Sequence, residues 1–132
     1  MERVDFEIRG NRYQFEGVPV SKSRPFLTKM MAKLSRADMS GADEDRLLSF
    51  FKLIASAMDE QLLSDAVTMF TPYTFFETNG MWPCLSTEKM HWDAKGQEGL
   101  GDQFEWLVFC LKHTYSDFLA RVQKLSPGAV TP

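Results

Sequence analysis

In the stretch GDQFEWLVFCLKHTYSDFLARVQKL, Gly101 to Leu125, eight apolar residues recur at spacings of three and four. They are Phe104, Leu107, Val108, Leu111, Tyr115, Phe118, Leu119 and Val122. That is the period of one helix face, and at about 100° per residue the eight fall within an arc of roughly 120°, the width of a core-facing stripe. Asp102 is a suitable N-cap, with its carboxylate at the positive helix end. Arg121 and Lys124 stand near the C-terminus, where cations are favoured, and Ser126, Pro127 and Gly128 end the helix.

The same helix carries a second apolar patch. Trp106, Phe109 and Cys110 lie on the opposite side, with His113 one turn further on. The patch covers only the first half of the helix; beyond it the same side holds Asp117, Ala120 and Lys124. Large apolar patches are normally covered. Either another element of this chain covers this one, or another chain does. In the second case Trp106, Phe109, Cys110 and His113 form a protein-interaction surface.

Working outward, Val4, Phe6 and Ile8 alternate with Asp5, Glu7 and Arg9, and Tyr13 and Phe15 alternate with Arg12, Gln14 and Glu16. Between the runs stands Gly10-Asn11, which tolerates positive φ, so Val4–Phe15 reads as a β-hairpin with one buried face. Pro25 suits the first turn of a helix, whose apolar stripe is Phe26, Leu27, Met30, Met31 and Leu34. Ser40 to Asp43 resembles a capping box, and Leu47, Leu48, Phe51, Ile54, Ala55 and Met58 continue as a helix from about Ala42 to Met58. Asp59-Glu60 restarts the pattern, Leu62, Leu63, Ala66, Val67 and Phe70 carry a shorter helix to Thr71, and Pro72 closes it.

Residues 71–97 are irregular and crowded with aromatics. Thr74–Glu77 and Leu85–Trp92 are candidate short strands, with Asn79-Gly80 as the turn between them; the alternative is an ordered aromatic-rich loop. Lys95–Gly101 reads as a flexible connection. The expectation is a single α+β domain over residues 1–125. Its N-terminal β-hairpin, extendable by short strands from residues 74–92, packs on a bundle of about four α-helices. Residues 126–132 form a flexible tail.

Composition narrows the function. The chain has 132 residues, enough for one domain with a real core. Its 8 Met and 11 Phe suit an adaptable binding surface as well as a core. No apolar run approaches a membrane span and MERVDFEIRG lacks a signal-peptide core, which indicates a cytoplasmic protein. Residues 1–36 hold eight basic and four acidic residues while the overall net charge is −3, so a basic end faces an acidic body. Such ends can attract one another between copies, or simply reflect two solvated faces. The net charge gives no reason to expect nucleic acid.

Catalytic and metal chemistry is not signalled. GQEGLG is spaced wrongly for a phosphate loop. Cys84, His91, Cys110 and His113 are arithmetically enough for zinc, but Cys84-x6-His91 matches no common ligand spacing and no CxxC pair occurs. Cys110 and His113 share a helix face, yet nothing marks Cys110 as an activated nucleophile. No catalytic, cofactor-binding or metal residue is assigned.

The order of elements resembles the tail assembly chaperones of long-tailed bacteriophages. The hairpin Phe6-Glu7-Ile8-Arg9-Gly10-Asn11-Arg12-Tyr13 is followed by a basic helix at Phe26–Leu34 and by helices with acids at their starts, Asp43–Met58 and Asp59–Phe70. Met81-Trp82-Pro83 and the aromatic last helix, Phe104–Phe118, complete the likeness, which extends over Val4–Leu125 as an order of elements. The resemblance implies a non-catalytic protein of the host cytoplasm. It would bind the tape measure protein, keep it soluble while the tail tube polymerises, and self-associate. A different class remains beside it: a small adaptor or inhibitor-type domain that acts on one folded partner.

Overall fold

The computed structural model describes residues 3–33, 51, 54–55 and 58–125. Strands β1 (Val4–Ile8) and β2 (Asn11–Phe15) form the expected hairpin, in the register Val4 opposite Phe15 and Ile8 opposite Asn11. Ile8, Tyr13 and Phe15 turn inward, while Asp5, Glu7 and Arg12 are exposed. The turn lies one residue earlier than expected. Arg9 and Gly10 occupy it, both at positive φ (47° and 82°), the geometry that matches the twist of a two-residue hairpin. A non-glycine residue there costs roughly 1–2 kcal/mol. Arg9 accepts it because its side chain is engaged elsewhere, as described below.

Helix α1 (Val20–Lys33) starts five residues before Pro25, the start expected. The Pro19 carbonyl accepts from both Lys22 and Ser23 N–H at 2.9 Å and closes the first turn. Pro25 thus sits inside the helix and forfeits the bond to the Ser21 carbonyl. Phe26 and Met30, one turn apart, are buried.

Helix α2 (Glu60–Phe70) begins where expected. Asp59 is its N-cap, and its carboxylate accepts from Leu62 N–H at 2.8 Å. Leu62, Ala66 and Phe70 form its buried stripe. A short 3₁₀ turn at Thr71–Tyr73 leads into strand β3 (Thr74–Phe76). This strand pairs antiparallel with β2, so the sheet has the order β1-β2-β3. Asn79-Gly80 forms the expected turn, with φ of 52° and 76°, between the bridged residues Thr78 and Met81. The strand expected at Leu85–Trp92 is not formed. Phe75 makes a single bridge to Cys84, and 3₁₀ turns follow at Leu85–Thr87 and Asp93–Lys95.

The last helix, α3, runs Glu98–Leu125. Its start is not a flexible connection. A Cβ on Gly99 would stand 2.0 Å from the Trp92 carbonyl oxygen, so only glycine lets the preceding loop lie against the helix. Among the described residues there are three α-helices rather than the expected bundle of about four. The helix expected from about Ala42 to Met58 lies largely outside the described residues, although Phe51, Ile54 and Ala55 are helical and buried in the core. The tail expected at 126–132 also lies outside them. No helix among the described residues is long and apolar enough to cross a membrane.

Helix α3 is buried on two sides. Leu107, Leu111, Tyr115 and Leu119 meet the core along the expected stripe, and Trp106 and Cys110 are equally buried. The segment from β3 to Trp92 is the cover that the sequence left open. Trp92 packs on Trp106 with ring centroids 5.2 Å apart, and Phe70 meets Trp106 edge-on at 6.4 Å. Toward the C-terminal end the expected stripe loses its cover: Phe118 is 45% and Val122 38% exposed.

Candidate functional site

The four residues singled out for interaction do not form one surface. Trp106 is wholly buried and donates its indole N–H to Thr74 Oγ1 at 3.0 Å. Thr74 is itself buried, and its hydroxyl donates to the Phe70 carbonyl at 2.9 Å, which closes a polar chain inside the core. Cys110 is fully buried beside Thr74. Burial pushes its thiol well above the usual value, although the Thr74 hydroxyl opposes this, so it is no activated nucleophile. The expectation that Trp106 and Cys110 face another chain is therefore corrected. The aromatic segment that follows α2 covers them, and a helical wheel cannot show that segment's position.

Phe109 and His113 remain nearer the surface. Phe109 is half-buried and stacks on Phe6 of β1 at 4.0 Å and on His113 at 6.0 Å. The exposed His113 approaches Phe15 edge-on at 5.4 Å, and partial burial lowers its pKa from the ordinary value. Beside Phe109 a groove of about 280 Å³ opens between β1 and α3, with Phe6, Ile8, Phe104 and Val108 in its walls. Glu7, Glu105 and Lys112 also line it.

Two polar contacts that local patterns could not reveal fasten the sheet to later parts of the chain, one to the last helix and one to the segment before it. Arg9 donates from Nε and Nη2 to the two carboxylate oxygens of Asp102, at 2.7 and 2.8 Å, and from Nη1 to Glu98. Asp102 is buried rather than an N-cap, and the Arg9 guanidinium holds its carboxyl below the usual carboxylate range. Tyr13 shares a 2.7 Å hydrogen bond with His91 Nε2. Phe76 and Trp92 flank His91, with ring centroids 4.8 and 4.7 Å away. Burial, then the Lys95 charge, pulls His91 down to about 4, while Glu88 and Asp102 oppose the shift. Burial raises Tyr13.

The four Cys and His side chains weighed for zinc are separately engaged. Cys84 lies 3.3 Å from the Pro72 carbonyl and 3.0 Å from Ser86 Oγ, and His91 is held by Tyr13. Among the described residues no three His, Cys, Asp or Glu side chains are grouped as metal ligands would be. The groups of strongly shifted pKa thus lie in packing contacts and ion pairs, and apolar surface is accessible at the β1/α3 groove, at the pair Phe118 and Val122, and at Val20, Met81, Met90 and Leu100. Comparison with protein-family models, with curated proteins and with solved structures finds no match to this chain.

Proposed function

We propose that this chain is a non-catalytic binding protein. Its best-supported role is that of a tail assembly chaperone of a long-tailed bacteriophage, acting in the host cytoplasm. The observation that carries the reading is the pair Phe118 and Val122. They stand one turn apart on α3, 45% and 38% exposed, on the helix whose other large apolar residues are mostly covered. An apolar ridge on a helix suits a helical partner that presents its own apolar face. The tape measure protein, long and helical, is such a partner, and masking its apolar face would keep it soluble during tail tube assembly. The order of elements supports the same reading. Self-association through the ridge would protect it while no client is bound.

The test is co-expression with the tape measure protein. With the native chain the client is recovered soluble and in complex. With Phe118→Glu and Val122→Glu together the client precipitates, while the variant keeps the native circular dichroism and melting temperature. A client that stays insoluble beside the native chain, with no complex recovered, refutes the chaperone role. A strict monomer that captures one folded partner instead supports the adaptor reading.

A further inference from the structure

The three-stranded sheet has two edges, and they are treated differently. At β3 the edge is closed: Phe76 N–H donates to the Pro83 carbonyl at 3.1 Å, and Phe75 bridges to Cys84. At β1, no described residue pairs with the outer edge. The two-residue turn makes Ile8 and Asn11 a hydrogen-bonded pair, so the backbone groups of Val4, Phe6 and Ile8 face β2. Those of Asp5 and Glu7 therefore point away from the sheet. The pattern on the other side of β2 agrees, because Arg12 O accepts from Glu77 N–H at 3.0 Å. An open edge is a template for another strand.

Beside this edge lies the β1/α3 groove. Phe6 and Ile8 form one wall, and Phe104 and Val108 belong to the helix wall. A strand added to β1 would direct alternate side chains into this groove and the others out beside Asp5 and Glu7. The sheet already displays what β1 pairs with. In β2 the basic Arg12 stands opposite Glu7, and Tyr13 and Phe15 stand opposite Phe6 and Val4. A second copy of β1 breaks that pattern when the pairing is centred on Phe6. Antiparallel pairing about Phe6 would set Asp5 of each copy against Glu7 of the other, two like-charge pairs.

We propose that the outer edge of β1 and the adjoining groove form a strand-addition site for an extended partner segment in which basic residues alternate with apolar ones. The basic side chains face Asp5 and Glu7, the apolar ones enter the groove, and the backbone bonds to Asp5 and Glu7. This site is separate from the Phe118 ridge and does not rest on the chaperone reading.

The probe is the capped peptide Lys-Phe-Lys-Val-Lys, with Glu-Phe-Glu-Val-Glu as its control, titrated into the ¹⁵N-labelled full chain. At roughly millimolar peptide, the lysine peptide shifts the Asp5 and Glu7 amides and slows their exchange with water, and the glutamate peptide binds about tenfold more weakly. This comparison uses the native chain and needs no variant to fold. Asp5→Lys with Glu7→Lys inverts the preference between the two peptides. Three results overturn the proposal: equal response to both peptides, shifts confined to residues outside β1 and the groove, or amide protection that rises with protein concentration alone. The last would make the edge an interface between copies.

Discussion

Substitution of Trp106 separates a core role from a surface role. The residue is fully buried, stacked among Trp92 and Phe70, and hydrogen-bonded to Thr74. Trp106→Ala removes an indole that the surroundings cannot refill, a loss of about 3–5 kcal/mol. A domain of this size has a total stability of roughly 5–15 kcal/mol, so the variant is marginal. With a urea slope of about 1–3 kcal/mol/M, its midpoint moves down by roughly 2 M. Trp106→Phe keeps much of the volume and loses the indole N–H. Thr74 retains its bond to the Phe70 carbonyl, so the cost is smaller, about 1–2 kcal/mol. Trp106→Glu adds a buried unpaired charge and leaves the chain unfolded at neutral pH. The assay is urea unfolding followed by far-ultraviolet circular dichroism, with light scattering in parallel. A folded Trp106→Glu protein whose oligomeric state alone has changed would refute the core assignment and restore Trp106 to the surface.

Gly99→Ala drives a methyl group into the Trp92 carbonyl. It costs about 1–3 kcal/mol and lowers the melting temperature by roughly 3–10 °C in calorimetry, whereas Gly101→Ala, with open space around it, does not. His91 is held neutral in the folded chain down to about 4, against 6.5 ordinarily. Between those values the unfolded chain binds the extra proton, so stability falls on acidification from about 6.5 to about 4. The loss is on the order of 1–3 kcal/mol once partial exposure is allowed for, and His91→Phe flattens it in urea titrations at a series of pH values. Asp102 adds a second loss at lower pH: its lowered carboxyl contributes stability above 3.8 that disappears as pH falls through its folded value. Arg9→Met destabilises more than Glu98→Gln in urea unfolding, because it leaves Asp102 buried without its cation while Glu98 is exposed.

What was legible in the sequence was local. The alternation of Val4–Phe15, the restart at Asp59-Glu60 followed by Leu62, Ala66 and Phe70, and the Asn79-Gly80 turn each depend on neighbours a few residues apart. The misreadings are non-local. Two apolar stripes on α3 looked like one core face and one spare face, but residues of both are buried in the core. Trp106 and Cys110 near its start are buried, and Phe118 and Val122 near its end are not. That outcome depends on where the chain places Trp92 and Thr74, which α3's own periodicity does not encode. Asp102 looked like a cap because the residue that claims its carboxylate is 93 positions away. The one-residue shift of the hairpin turn has the same origin, since Arg9 tolerates positive φ where its guanidinium is held by that distant carboxylate. The groove between β1 and α3 was invisible for a similar reason, as its walls come from opposite ends of the chain.

The Arg9–Asp102 clasp has a consequence for the order of events during synthesis. The hairpin leaves the ribosome before its third strand, the carboxylate that seats its turn and the helix that covers Phe6 and Phe15, which all come later in the chain. At about 5–20 residues per second, Arg9 waits roughly 5–20 s for Asp102 to be added. Until Thr74–Phe76 is added the nascent hairpin lacks its third strand, and until α3 is added Phe6 and Phe15 lack the ring of Phe109. Completion of the fold is thus coupled to the arrival of α3, and a chain halted before Thr74 holds a two-stranded ribbon that is marginal alone in water.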